Sequence, residues 1–211
     1  MGIYELSIKR PFLDIKKLLI GLLFNIIPIV NFISIGYALR CAKLSMKNNF
    51  DMPEWKDKGE LFKNGFFYAV ISLIYLIPVI ILFFVVFFSF LVKLVTLKTM
   101  DFSVILKEFL SAGSLSLILF TFLLLFFILY ITPSAIMNFV NKNKFSSAFE
   151  FSNVFRKAFT GQYFVTTLLM FLYTLLLYLI LGFIPFIGGI VASFLIYITT
   201  YSAYGAIYNK L

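Results

Sequence analysis

Three long stretches of the chain carry no Asp, Glu, Lys or Arg: 64–92, 109–141 and 158–209. A helix needs about 20 apolar residues to cross a hydrocarbon core of about 30 Å. The third stretch is long enough for two crossings. Gly182-Phe183-Ile184-Pro185-Phe186-Ile187-Gly188-Gly189 supplies an uncharged turn between them. The pattern therefore predicts four transmembrane helices, over 66–92, 115–140, 163–183 and 186–208. Leu115–Ile131 is nearly pure Leu, Ile and Phe, and each such residue favours insertion by roughly 0.3–0.6 kcal/mol. Pro78 and Thr132-Pro133 are local weaknesses inside two of the helices.

The first apolar run, 18–39, reads differently. Its centre is Asn25-Ile26-Ile27-Pro28-Ile29-Val30-Asn31. Pro28 removes a helical hydrogen bond, and Asn25 and Asn31 flank it at three residues on either side. Broken backbone in hydrocarbon needs polar partners, so these three residues mark the tip of a re-entrant hairpin buried by the later spans, or the lining of a cavity. Charge supports the hairpin over a fifth crossing. If 18–39 returns to the side it left, the cations of 1–17, 40–63 and 142–157 and Lys210 share one side, fifteen in all, against three in 93–108. That partition fits the excess of Lys and Arg on the cytoplasmic side. Ile27-Pro28-Ile29-Val30-Asn31 is echoed by Ile184-Pro185-Phe186-Ile187-Gly188, each after an apolar helix that follows a basic amphipathic stretch.

The polar segments read as surface elements. Asp51 and Pro53 suit the start of a short helix lying on the membrane, with Trp55 at headgroup level. Residues 142–162 form an amphipathic pattern. Phe145, Phe149, Phe151, Phe155 and Phe159 share an apolar arc, with Glu150, Asn153, Arg156 and Lys157 opposite. This segment is expected to lie in the interface, with Phe149 and Phe155 in the acyl boundary and Arg156 and Lys157 on anionic headgroups. Gly188/Ala192 and Gly189/Ser193 are small pairs that permit close helix packing. Tyr197, Tyr201, Tyr204 and Tyr208 line one face of the last helix, either as bundle packing or as a polar groove.

Composition agrees with a lipid environment: 62% of residues are hydrophobic and 29 are Phe. The net charge of +9 reads as contact with anionic lipid, not nucleic acid, since no nucleic-acid motif is present. With no His and one cysteine, Cys41, neither an internal disulfide nor Cys–His metal chemistry is available. Asp51, Glu54, Asp57 and Glu60 interleave with lysines as a neutralised surface, and no phosphate-binding loop appears. No ionisable residue lies within the predicted spans, which argues against proton-coupled pumping. No cofactor is expected. Glu5 and Asp14 precede the first apolar run and Arg40 follows it, so the N-terminus reads as mature sequence.

Pro11 in a basic apolar segment, Ile27-Pro28, Gly36-Tyr37 followed by Arg40, Met52-Pro53-Glu54-Trp55 and Gly59–Gly65 together resemble the uncharacterised prokaryotic membrane family known as domain of unknown function 4013. The basic Phe145–Phe159 segment adds to the likeness. It covers nearly the whole chain, and its most specific part is Pro-Glu-Trp. The resemblance implies a bacterial or archaeal cell membrane and one domain, and it carries over no catalytic residue. The expected fold is all-α: a polytopic membrane helical bundle with an N-terminal re-entrant or broken hairpin and interfacial amphipathic helices, both termini cytoplasmic. The expected role is non-enzymatic, a membrane interaction or scaffold protein acting through lipid contact and a membrane protein partner or a second copy. A permease-like or channel-forming protein and a lipid-modifying enzyme stand as alternatives.

Overall fold

A computed structural model of the chain describes residues 2–97 and 101–211. Residues 98–100 of the expected 93–108 loop lie outside the described residues. The fold is all-α, with α1 (Ile3–Lys9), α2 (Ile15–Ile26), α3 (Asn31–Ser45), α4 (Lys58–Leu97), α5 (Phe102–Phe109), α6 (Ala112–Lys142), α7 (Phe151–Ala158), α8 (Gly161–Leu181) and α9 (Ile187–Tyr208). No strand occurs among the described residues. Among these elements α4, α6, α8 and α9 are long and apolar enough to cross a membrane. The chain divides into two compact units, one of residues up to Ile71 together with Pro133–Leu211, the other Ser72–Thr132.

In the second unit the outer parts of α4 and α6 carry an almost unbroken apolar surface. Leu119, Phe122, Leu123 and Phe126 of α6 are exposed, as are Ile81, Phe83 and Phe88 of α4. Hydrocarbon is the solvent in which such a surface is stable. Pro133 stands at the first residue of the chain's return to the other unit.

The first unit is built around α3 and α9. Three glycines bring backbones together there. A Cβ on Gly36 would stand 1.9 Å from the Leu61 carbonyl oxygen of α4, one on Gly65 1.9 Å from that of Phe32, and one on Gly205 2.3 Å from that of Ala42. Tyr37, Ala38, Cys41, Met52, Leu61, Phe194 and Ile198 fill the core these approaches create. Small residues permit such contacts where lipid offers no hydrophobic drive for helix association.

Residues 18–39 lie within a hairpin, α2 running out and α3 running back. Asp14 caps α2: its carboxylate accepts the Lys17 N–H at 3.1 Å. Ser34 Oγ of α3 donates to the Gly21 carbonyl of α2. The hairpin is longer than expected because α3 continues to Ser45, giving it about 22 Å of length at 1.5 Å per residue.

Its turn is strained. Ile27 is extended, as the residue before proline must be, and Ile29 adopts φ 71°. The second proline turn repeats the device: Phe186, after Pro185, has φ 61°. The hydrogen bonding repeats too, with Asn31 N–H to Ile27 O and Gly188 N–H to Ile184 O, both at 3.0 Å. Left-handed backbone costs an L-residue roughly 1–2 kcal/mol, and a β-branched one is a true outlier there. Ile29 is 69% exposed, so protein packing does not offset the cost. Ile29→Gly should raise stability in detergent by about 1 kcal/mol. A melting midpoint at or below wild type would show that the turn stores no strain.

Candidate functional site

The polar chemistry of the first unit collects at one end, where α1, the 46–57 segment, α7 and the last turn of α9 meet. Arg10 organises it. Its side chain is fully buried. Nη1 donates to Cys41 O at 2.8 Å, to Ser45 Oγ at 2.6 Å and to Ser202 Oγ at 3.0 Å, and Nη2 donates to Asp51 O at 2.7 Å. One guanidinium thus ties the N-terminal segment to α3, α9 and the following loop. The C-terminal carbonyls of α3 favour a cation at this place.

Lys157 does the same for α9. Its ammonium donates to the Tyr208 carbonyl at 2.7 Å and lies 3.8 Å from the Tyr208 ring centroid. Burial, with Arg156 beside it, lowers its pKa. Asn209 Nδ2 donates to Met46 O at 2.8 Å, closing α9 against the end of α3. The expected headgroup contact is therefore corrected for Lys157, which is turned into the bundle because an open helix C-terminus lies within its reach. Arg156 stays exposed, with Nη2 to Asn153 Oδ1 at 3.3 Å.

Residues 142–162 do not form one helix. Phe145–Phe149 is a short 3-10 turn, and α7 begins only at Phe151. Glu150 breaks the run: its carboxylate takes up Lys142 and the Asn153 amide, and these hold its pKa below the usual value. Val154 and Ala158 anchor α7. Phe155 is half-buried between the exposed rings of Phe151 and Phe159, with centroids 6.2 Å from each. Phe149 is turned away from this ladder, against Phe145 at 5.3 Å.

Trp55 does not ride on a surface helix. Residues 50–57 are irregular, and the indole stacks on Tyr37 with ring centroids at 3.8 Å. Its Nε1 donates to Lys17 O at 3.1 Å. The ring closes the core because Pro53 and the left-handed Asp57 keep this stretch from winding into a helix. Of the acidic residues, Glu54 pairs with Lys17 at 2.8 Å, Glu60 with Arg40 at 3.2 Å and Asp57 with Arg40 at 3.9 Å. Glu54 holds the Lys17 ammonium above its ordinary pKa. These partners come from other elements, not from the interleaved lysines.

The hairpin residues divide. Asn25 Nδ2 donates to Ile190 O at 2.9 Å and to Ser193 Oγ at 2.8 Å, locking α2 to the first turns of α9. Pro28 is exposed at the tip, so the expected burial fails there, and Asn31 is only half-buried. The reason lies in the backbone. Phe32 N–H to Ile29 O and Ile33 N–H to Val30 O, with the Asn31 bond already described, take up the freed carbonyls. The turn satisfies itself and leaves Asn25 for another helix.

Among the expected packing residues, Ala192 is buried and Ser193 receives the Asn25 amide. A Cβ on Gly188 would meet Leu181 O at 1.8 Å, within its own turn, and Gly189 faces open space. The Tyr face of α9 packs into the bundle. Tyr201, Tyr204 and Tyr208 are buried, with hydrogen bonds joining Tyr204 to Thr167 and Tyr208 to Asn138. Cys41 is fully buried, so its thiol is closed to acylation. No group of three or more His, Cys, Asp or Glu able to hold a metal occurs among the described residues.

The sequence reading missed Arg10 and the glycines at 36, 65 and 205. Ser7, Arg10 and Pro11 are the inward residues of their segment, a signal too short to separate from chance.

A family model described as protein of unknown function (DUF4013) matches residues 19–186. Over 138 residues the chain is 34% identical to an uncharacterized protein, MJ1189, of Methanocaldococcus jannaschii. The match covers 63% of this chain and 43% of that relative, so the chain spans less than half of the relative's length. No solved structure matches.

Proposed function

The chain belongs to the DUF4013 family, and from that premise we propose that it is an integral membrane protein that works as a non-catalytic interaction or scaffold module, through helix packing and lipid contact. The observation that carries the reading is the basic end of the first unit. Hydrogen bonds from Arg10, Lys157 and Asn209 and the Lys17–Glu54 pair draw the 1–17, 46–57 and 150–158 segments and the end of α9 to one place. A common basic end belongs on the cytoplasmic side. There the exposed Phe151 and Phe159 rings would enter the acyl boundary with Arg156 beside them. The scaffold reading is preferred to a permease because several polar side chains within the helices bind one another across the bundle. The Asn25 amide is held by α9, Tyr204 by Thr167 and Thr199 by Tyr173.

Topology is the test. In a Cys41→Ala background, a cysteine at the exposed position Lys47 should react with a membrane-impermeant maleimide only after cells are opened. Labelling in intact cells would place this end outside and overturn the orientation. Release of the protein into the soluble fraction by alkaline carbonate would overturn membrane integration itself.

A further inference from the structure

We propose that a small cleft at the cytoplasmic end of α3, α4 and α6 is a binding site for the phosphate of an anionic lipid headgroup, an inference that rests on the membrane reading above. The cleft has a volume of about 60 Å³, against about 10–15 Å³ needed for one water by the same measure. That is room for a small oxyanion, with the remainder of a larger molecule outside. Leu39, Phe139 and Val140 form its apolar lining. Its polar lining is Arg40 and Lys43 from α3, Glu60 and Asn64 from α4, and Asn143 just beyond α6.

These polar groups are not equivalent. Arg40 is already engaged, with Nη1 to Lys56 O at 2.8 Å and Nη2 on Glu60 and Asp57. The single Arg40 cation is shared between the Glu60 and Asp57 carboxylates. Lys43 is half-buried, and no carboxylate lies within ion-pair distance of it among the described residues. The Asn64 and Asn143 amides line the same space, and neither makes a side-chain hydrogen bond among the described residues. A lysine with no carboxylate at ion-pair distance and two asparagines without side-chain hydrogen bonds among the described residues therefore border one small cleft. Asn143 is held there by its left-handed backbone, φ 53°. An ammonium and amide N–H groups are the donors a phosphate takes. Lipid is favoured as the source because the space admits the phosphate alone while the basic end sits at headgroup level.

Native mass spectrometry of the full chain in mild detergent tests this, with phosphatidylglycerol, phosphatidylcholine and inorganic phosphate as separate probes. Lys43→Gln should weaken phosphatidylglycerol retention about fivefold, the worth of one cation near an anionic surface. Lys47→Gln, an exposed lysine outside the cleft, should leave it unchanged. Lys43→Arg should restore most of it. Asn143→Gly, which removes the amide and tolerates the left-handed backbone, should weaken it without lowering the melting midpoint, which separates binding from folding. Equal losses for Lys43→Gln and Lys47→Gln would overturn the site in favour of diffuse charge. So would phosphatidylcholine binding as tight as phosphatidylglycerol. Competition by millimolar inorganic phosphate that depends on Lys43, with no preference for the lipid, would overturn the lipid source and keep the phosphate chemistry. Failure of membrane integration in the carbonate extraction would remove the proposed function independently of these measurements.

Discussion

Gly36→Val should prevent the first unit from assembling. The first added carbon would stand 1.9 Å from the Leu61 oxygen, 2.6 Å from its carbonyl carbon and 2.9 Å from its Cα. All three are backbone atoms of a helix, so no side-chain rotation relieves the clash. The contact is reciprocal, since a Cβ on Gly65 of α4 would stand the same 1.9 Å from the Phe32 carbonyl oxygen of α3. Separating α3 from α4 would also open the core holding Tyr37, Leu61 and Ala38. Overpacking usually costs about 1–3 kcal/mol. With rigid backbone on the far side, the upper end or more is expected, a large part of the stability of a typical domain. Gly189→Val is the control, because nothing lies within 4 Å of that position, and it should stay within about 0.5 kcal/mol of wild type. Thermal unfolding in detergent distinguishes the two. A Gly36→Val protein that melts with the control would show that α3 and α4 do not approach this closely.

Arg10→Met carries the second large effect, about 3 kcal/mol. Methionine approximates the apolar stem but leaves Cys41 O and Asp51 O without the donors they now have. Each buried group left unsatisfied costs roughly 1–3 kcal/mol. The Ser45 hydroxyl limits the damage, because it already donates to Cys41 O at 3.2 Å. Arg10→Lys should recover only part of the loss. One ammonium lacks the planar fork that reaches α3, α9 and the 46–57 segment together. Limited proteolysis reads the effect locally, with cleavage within 46–57 rising in Arg10→Met well before global unfolding. Unchanged protection of that segment would mean that Arg10 does not hold it.

How much of this was legible follows from what each signal encodes. The four apolar helices were readable because charge is costly in hydrocarbon, so its absence over 64–92, 109–141 and 158–209 marks them directly. The helices extend past those limits, α4 from Lys58 and α6 to Lys142, because water tolerates charges on a helix that lipid does not. The break at Pro28 was readable from one residue type. The partner of Asn25 was not, since local sequence shows that an amide needs a partner but not which helix is near. Trp55 and Lys157 were misplaced for a related reason: local sequence shows an amphipathic side chain but not that a stacking ring or an open helix end lies within its reach. The glycines at 36, 65 and 205 carry no periodic signal, and their role exists only once two backbones meet.

The two proline turns, alike in handedness and hydrogen bonding, have a consequence for parity. Each returns the chain along the helix it left, and between them the chain leaves the first unit after Ile71 and re-enters it at Pro133. The chain is thus three round trips, α2 with α3, α4 with α6 and α8 with α9. A round trip contributes an even number to the topology however deep it goes. Under the proposed membrane reading, the orientation of everything after α3 is therefore indifferent to whether the first hairpin stops within the bilayer or reaches its far face. Lengthening or shortening one trip would leave the sidedness of the others intact.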